Sequence, residues 1–139
     1  MSEENVELVR RLGDSFRARD AKTPFEILDP AVVWDTTRSD FPGLSEVFHG
    51  HEGVRTFWRR WLDAWDQIDF DASGWFDADD MVVVFYEQRN HGRLSGIWAD
   101  LRWAGLWEFA DGRVVRLTMY TDFAEALRVA GLNPKLADG

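Results

Sequence analysis

The sequence predicts an α+β domain: a curved, mostly antiparallel sheet wrapped around three helices, with a short fourth helix at the C-terminal end. Three observations lead there. Helical periodicity is confined to the first half and the last turn of the chain, between residues 3 and 65 and again after Asp122. The stretch from Ile68 to Asp122 reads instead as consecutive strands joined by short turns. Segregated helices and hairpin-linked strands define this class. Nearly half of the 139 residues are apolar and 14% are aromatic, enough for one core without staples and too little chain for two domains.

Taken in order, residues 3–19 carry Val6, Val9, Gly13 and Phe16 at helical spacing, with Glu3 and Glu4 where the helix dipole favours anions. "TPFE" reads as a second, short helix, with Thr23 as N-cap, Pro24 in the first position and Glu26 closing a capping box. "DP" at 29–30 ends it, and "AVVWD" is a short strand. About fifteen residues, "TTRSDFPGLSEVFHG", then show no period and read as a long loop. In "HGHEGVRTFWRRWLDAW", Val54, Phe57, Trp58, Trp61, Leu62 and Trp65 form the apolar stripe of a third helix, with Arg55, Arg59 and Arg60 on its wet side.

Four strands follow. Ile68 to Phe76 alternates, and "MVVVFYEQ" is continuous enough for a central strand. The polar link "RNHGRLSG" leads to "IWADLRWAGLWEF". "ADGR" is a hairpin signal before "VVRLTMYTD". Asp122 and Glu125 then cap the last helix, which Gly131 ends, and "NPKLADG" is expected to fray.

Charge and composition narrow the function. A net charge of −9 disfavours nucleic acid and anionic membranes. No apolar run approaches the roughly 20 residues of a membrane span, and the N-terminus lacks the features of a signal peptide. The absence of cysteine excludes disulfides and thiolate metal sites and fits a cytoplasmic setting. His49, His51, Glu52 and distant His91 do not assemble into a metal site by spacing, so neither metal nor other cofactor is expected. His51 is expected to orient the loop through a hydrogen bond at the helix start.

The residues "LDPAVVWD", "GHEGVRTFW", "DGRVVRL" and "YTDFAEAL", in this order, resemble the SnoaL-like branch of the nuclear-transport-factor-2-like superfamily over nearly the full length. The resemblance implies a cone with a pocket at its open end, and relatives that include ketosteroid isomerase, polyketide cyclases, limonene-epoxide hydrolase and domains that only bind or dimerise. It places Asp35 at the isomerase's base position. By period two, Val33 and Asp35 share a strand face. A carboxylate at an apolar mouth has a raised pKa and acts as a base, so Asp35→Asn should stabilise the fold or leave it unchanged. Asp35 as a turn cap before Thr36 and Thr37 is the alternative. His49 is the expected partner of Asp35 in an acid–base dyad.

Other family acids and donors are replaced. Leu12 and Gly105 fall where the isomerase has its oxyanion donors, and Met119 falls where cyclases carry the first acid of their last-strand pair. The second acid of that pair matches Asp122, here a helix cap. The resemblance turns Leu101, Trp103, Gly105 and Trp107 inward, with Val115, Leu117 and Met119 from the last strand. Phe16, Trp58, Trp61, Tyr86, Leu101, Trp103, Leu117 and Met119 are therefore the expected walls of an apolar pocket for a small hydrophobic molecule. A non-catalytic binding or dimerisation domain is the competing reading. The opposite face, with Trp98 and Arg102, is the expected homodimer surface.

Overall fold

A computed structural model describes residues 2–41 and 45–138. The chain runs α1 (Ser2–Arg17), α2 (Thr23–Ile27), β1 (Leu28–Arg38), β2 (Val47–His49), α3 (Gly50–Ala64), β3 (Trp65–Ala78), β4 (Met81–Gly92), β5 (Trp98–Ala110), β6 (Arg113–Tyr120) and α4 (Phe123–Val129). A short 3₁₀ turn, Pro134–Asp138, follows. The six strands form one curved, unclosed sheet in the order β2-β1-β6-β5-β4-β3. All neighbours are antiparallel except β1 and β6.

The sheet has two buried faces, and this explains the continuous apolar run in β4. Val82, Val84 and Tyr86 join Val9, Leu12, Val54 and Phe57 in the main core, between the concave face and α1 and α3. Val83 and Phe85 point the other way and pack with Ala104, Leu106 and Tyr120 under Ala126 and Leu127 of α4. A strand covered on both sides has no polar face to show.

Several boundaries differ from the expectation. Residues 28–38 form one eleven-residue strand, and Val47–His49 pairs back on it, so much of the expected long loop is an antiparallel hairpin. Residues 42–44 of that segment lie outside the described residues. The polar "RNHG" continues β4, and Trp65 opens β3 rather than closing α3. The α2 cap also differs. Lys22 holds the N-cap position without a side-chain bond, and the Asp20 carboxylate accepts from the Lys22 and Thr23 amides and the Thr23 hydroxyl. In the tail, where fraying was expected, Pro134–Asp138 forms the 3₁₀ turn and Ala137 packs on the second core.

Other details follow the expectation. Asp111 and Gly112, at φ 53° and 76°, form the hairpin turn between β5 and β6. The Asp122 side chain accepts from the Glu125 amide at the start of α4, and Gly131 ends it at φ 79°.

Candidate functional site

Register decides which side chains can meet inside the cone. Tyr86 pairs with Trp103, and Trp107 with Leu117, on the concave face. Leu117 pairs in turn with Trp34 of β1. Gly105 lies between the two β5 indoles. A Cβ there would meet Trp107 Nε1 at 3.0 Å, Trp103 at 3.1 Å and Leu117 at 3.2 Å. The bare glycine lets both indoles lean over the strand.

From above, α1 and α3 close the space. Trp58 and Trp61 of α3 and Phe16 of α1 converge with Trp34, Trp103 and Trp107 on a cavity of about 90 Å³. Its walls are linked edge to face: Trp34 lies 5.8 Å from Trp107 and 6.0 Å from Trp58, and Phe16 lies 6.2 Å from Trp58. Each such pair contributes about 0.5–1.5 kcal/mol beyond burial, which favours a preformed site.

Six of the eight expected pocket residues line this cavity: Phe16, Trp58, Trp61, Tyr86, Trp103 and Met119. Leu117 is fully buried beneath Gly105, where it packs rather than lines. Leu101 packs half-buried against the main core, outside the lining. Val115 is displaced by a register shift at Glu108/Phe109, which gives its core position to Val114. Leu12 and the inward-facing Trp107 also line it, and Gly13, Trp34, Phe57, Ile68, Phe70 and Gln88 complete the site without having been anticipated there.

The polar groups of the cavity are mostly hydrogen-bond donors. Trp107 Nε1 donates to the Tyr86 hydroxyl at 3.1 Å, which leaves the Tyr86 proton for another acceptor. Burial pushes the Tyr86 phenol well above its usual range, so it stays neutral. Trp103 Nε1 donates to Gln88 Oε1 at 2.6 Å, and Gln88 Nε2 donates to Asn90. Trp34 is 5% exposed, and its Nε1–H has no acceptor among the described residues. Among the described residues, the cavity lining includes no carboxylate and no imidazole.

Asp35 is not part of it. Trp34 faces inward, so Asp35 falls on the convex face, beside Thr118 in register. Its Oδ2 accepts from Arg116 Nη2 at 2.6 Å, and its Oδ1 accepts from the Thr37 amide at 2.9 Å and hydroxyl at 2.6 Å. Burial works to raise its pKa. The two Thr37 bonds and the Arg116 charge outweigh burial and hold the carboxyl below the usual range. The expected raised pKa is thus reversed, and the turn-cap alternative describes the contacts. Glu108, 3.8 Å from the same guanidinium, is raised by burial.

His49 is exposed and sits opposite Val33, outside the cavity lining. The expected Asp35–His49 dyad is replaced by the Asp35–Arg116 pair. The His51 Nε2 lies 2.9 Å from the Leu28 carbonyl and ties the start of α3 to β1, as expected. His91 pairs with Asp66 at 2.6 Å. Among the described residues no three histidines or carboxylates are grouped to hold a metal ion. No described helix is long and apolar enough to cross a membrane.

The fold has close counterparts among solved structures. A family model, the SnoaL-like domain, matches residues 9–117, and the chain belongs to this family. An NTF2-like protein of unknown function from Burkholderia pseudomallei K96243 is 27% identical, with a TM-score of 0.77 over 94% of this chain and 98% of that one. TerC, co-crystallized with polyporic acid, is 22% identical, with a TM-score of 0.76 over 92% of this chain and 98% of its own. A putative SnoaL-like polyketide cyclase from Jannaschia sp. CCS1 is 22% identical, with a TM-score of 0.75 over 86% and 85%. No curated protein matches the sequence.

Proposed function

We propose that the protein binds a small planar aromatic molecule carrying an acceptor oxygen, and that it does so without a general base in the cavity. The observation that carries this reading is the cavity itself: an aromatic enclosure lined by Trp34, whose buried indole N–H has no acceptor among the described residues, and by Tyr86, whose hydroxyl keeps its own proton. A buried donor without an acceptor costs about 1–3 kcal/mol, which a carbonyl or quinone oxygen would recover. The relative co-crystallized with polyporic acid supports the same class of ligand on the same fold. At about 90 Å³ the cavity is below the roughly 300 Å³ of a drug-sized site, so it takes one ring and leaves the rest of a ligand outside.

Gly13 provides the test. It lies inside α1 and lines the cavity, where glycine costs about 1 kcal/mol relative to alanine. A Cβ there would meet its nearest neighbours at 3.6 Å, an ordinary contact, so packing does not require the glycine. On this reading it keeps the space open for the ligand. Wild-type protein should show saturable quenching of tryptophan fluorescence by 2-acetonaphthone. Gly13→Leu should abolish it in a folded protein, while Gly13→Ala, whose Cβ meets only ordinary contacts, should raise the melting temperature. Unchanged binding in a well-folded Gly13→Leu variant would contradict the proposal.

The convex face around Trp98 remains the proposed homodimer surface. Leu94, Ile97 and Trp98 are all exposed within five residues.

A further inference from the structure

Outside the cavity lies a second recess, of about 490 Å³, bounded by the end of α1, by α2, by α3 and by the start of β3. It shares Phe16, Trp58 and Ile68 with the cavity, so those side chains form a common wall. Its rim is unlike the rest of the molecule. Five of the sixteen basic residues of a chain with net charge −9 line it: Arg17, Arg19, Arg55, Arg59 and Arg93.

The carboxylates on the recess are already engaged. Asp20 is held by Thr23 and the Lys22 and Thr23 amides, and Asp66 pairs with His91. Arg17 pairs with Asp14 at 3.3 Å and Arg55 with Glu52 at 2.7 Å. These two guanidinium groups also lie over Phe70 and Phe25, at 4.2 and 4.1 Å from the ring centroids. Arg93 is fixed at the end of α3 by the Leu62, Asp63 and Trp65 carbonyls. Among the described residues, no carboxylate pairs with Arg19, Arg59 or Arg93.

We propose that this recess receives an anionic substituent, a carboxylate or an ionised acidic hydroxyl, of the ligand whose ring enters the cavity. The inference rests on the aromatic-binding reading and sharpens it: the ligand is an acidic aromatic compound. Screening confines each charge to about 8 Å at physiological ionic strength, so the arginines act locally despite the acidic surface beyond. Guanidinium groups match the planar fork of a carboxylate. Phe16, Trp58 and Ile68 line both recesses, so a ligand that occupies both subsites passes along these three side chains.

The probes are 2-naphthoate and 2-naphthamide, which have nearly the same shape and differ in charge. Both are titrated calorimetrically against wild-type protein, Arg19→Gln/Arg59→Gln, and Arg113→Gln as a control for charge at the distant hairpin. The naphthoate should bind wild-type protein at least about tenfold more tightly than the amide, a preference the double variant loses and Arg113→Gln keeps. Raising the salt concentration should weaken the naphthoate alone. Equal affinity of the two probes for wild-type protein, or a preference unaffected in the double variant, would overturn the proposal while leaving the aromatic site intact. Failure of both probes to bind would remove the aromatic reading and this inference with it.

Discussion

Asp35 shows how one position of pleat redirects a functional argument. "AVVWD" places Val33 and Asp35 on one face and Val32 and Trp34 on the other. The larger apolar pair takes the core, and a slip of one residue moves every side chain to the opposite face. Comparing the two faces of the strand would have found this from the residues alone. The consequences reach stability. The folded pKa of Asp35 is depressed, so its contribution is fully present above the unfolded value of about 3.9 and is lost as pH falls through the lower folded value. Asp35→Asn should therefore destabilise the protein at neutral pH by about 1–2 kcal/mol, since Arg116 loses its ionic partner. The difference from wild type should shrink towards acid pH in denaturant titrations. Ligand affinity should stay unchanged, because the residue lies across the sheet from the cavity. A variant at least as stable as wild type at neutral pH would reject this account of the ion pair.

The elements were legible where periodicity or capping chemistry was strong. The Val54, Phe57 and Trp61 part of the α3 stripe, the "ADGR" hairpin and the Asp122 cap are cases of local chemistry agreeing with the final structure, whereas Leu62 of that stripe is exposed and Trp65 belongs to β3. Asp122→Ala should cost about 1 kcal/mol through loss of the bond to the Glu125 amide, and chemical denaturation will measure it. The unpredicted strand β2 is three residues long and depends on pairing with β1, so no local signal marks it. Most of the cavity walls were also legible, because α3 and β5 each place aromatics at their own period. Trp34 was missed through the pleat, and Gly13 and Gln88 because a small or polar residue on an apolar stripe carries no pattern of its own. Gly105→Ala would crowd Trp103, Trp107 and Leu117 together. It should destabilise by about 1–3 kcal/mol and weaken aromatic binding.

For the whole molecule, the convex face divides in two. Its lower part is covered by α4, over Ala104 and Leu106. Arg102, expected at the dimer centre, is exposed and lies 4.9 Å from the Phe123 ring and 3.6 Å from Glu87. Trp98 remains 41% exposed, against His91 at 4.9 Å and the Arg89 guanidinium at 5.0 Å. If two copies meet there, sedimentation at micromolar concentration should give about twice the chain mass, and Trp98→Ala should dissociate the pair more than Glu108→Ala. A wild-type monomer would reject the dimer.

The central claim concerns the ring-sized cavity and its free indole donor, and the eight tryptophans allow it to be read directly. A nitrogen–proton correlation spectrum of the indole groups, recorded while 2-acetonaphthone is added, follows each Nε1–H separately. The account predicts that Trp34 shifts as its proton finds the ketone oxygen, that Trp58, Trp103 and Trp107 shift through the ring current, and that Trp98 stays in place. Trp34→Phe should then weaken the ketone about three- to tenfold, the value of one neutral hydrogen bond. A titration that leaves Trp34 unmoved, or moves Trp98 alone, would contradict it.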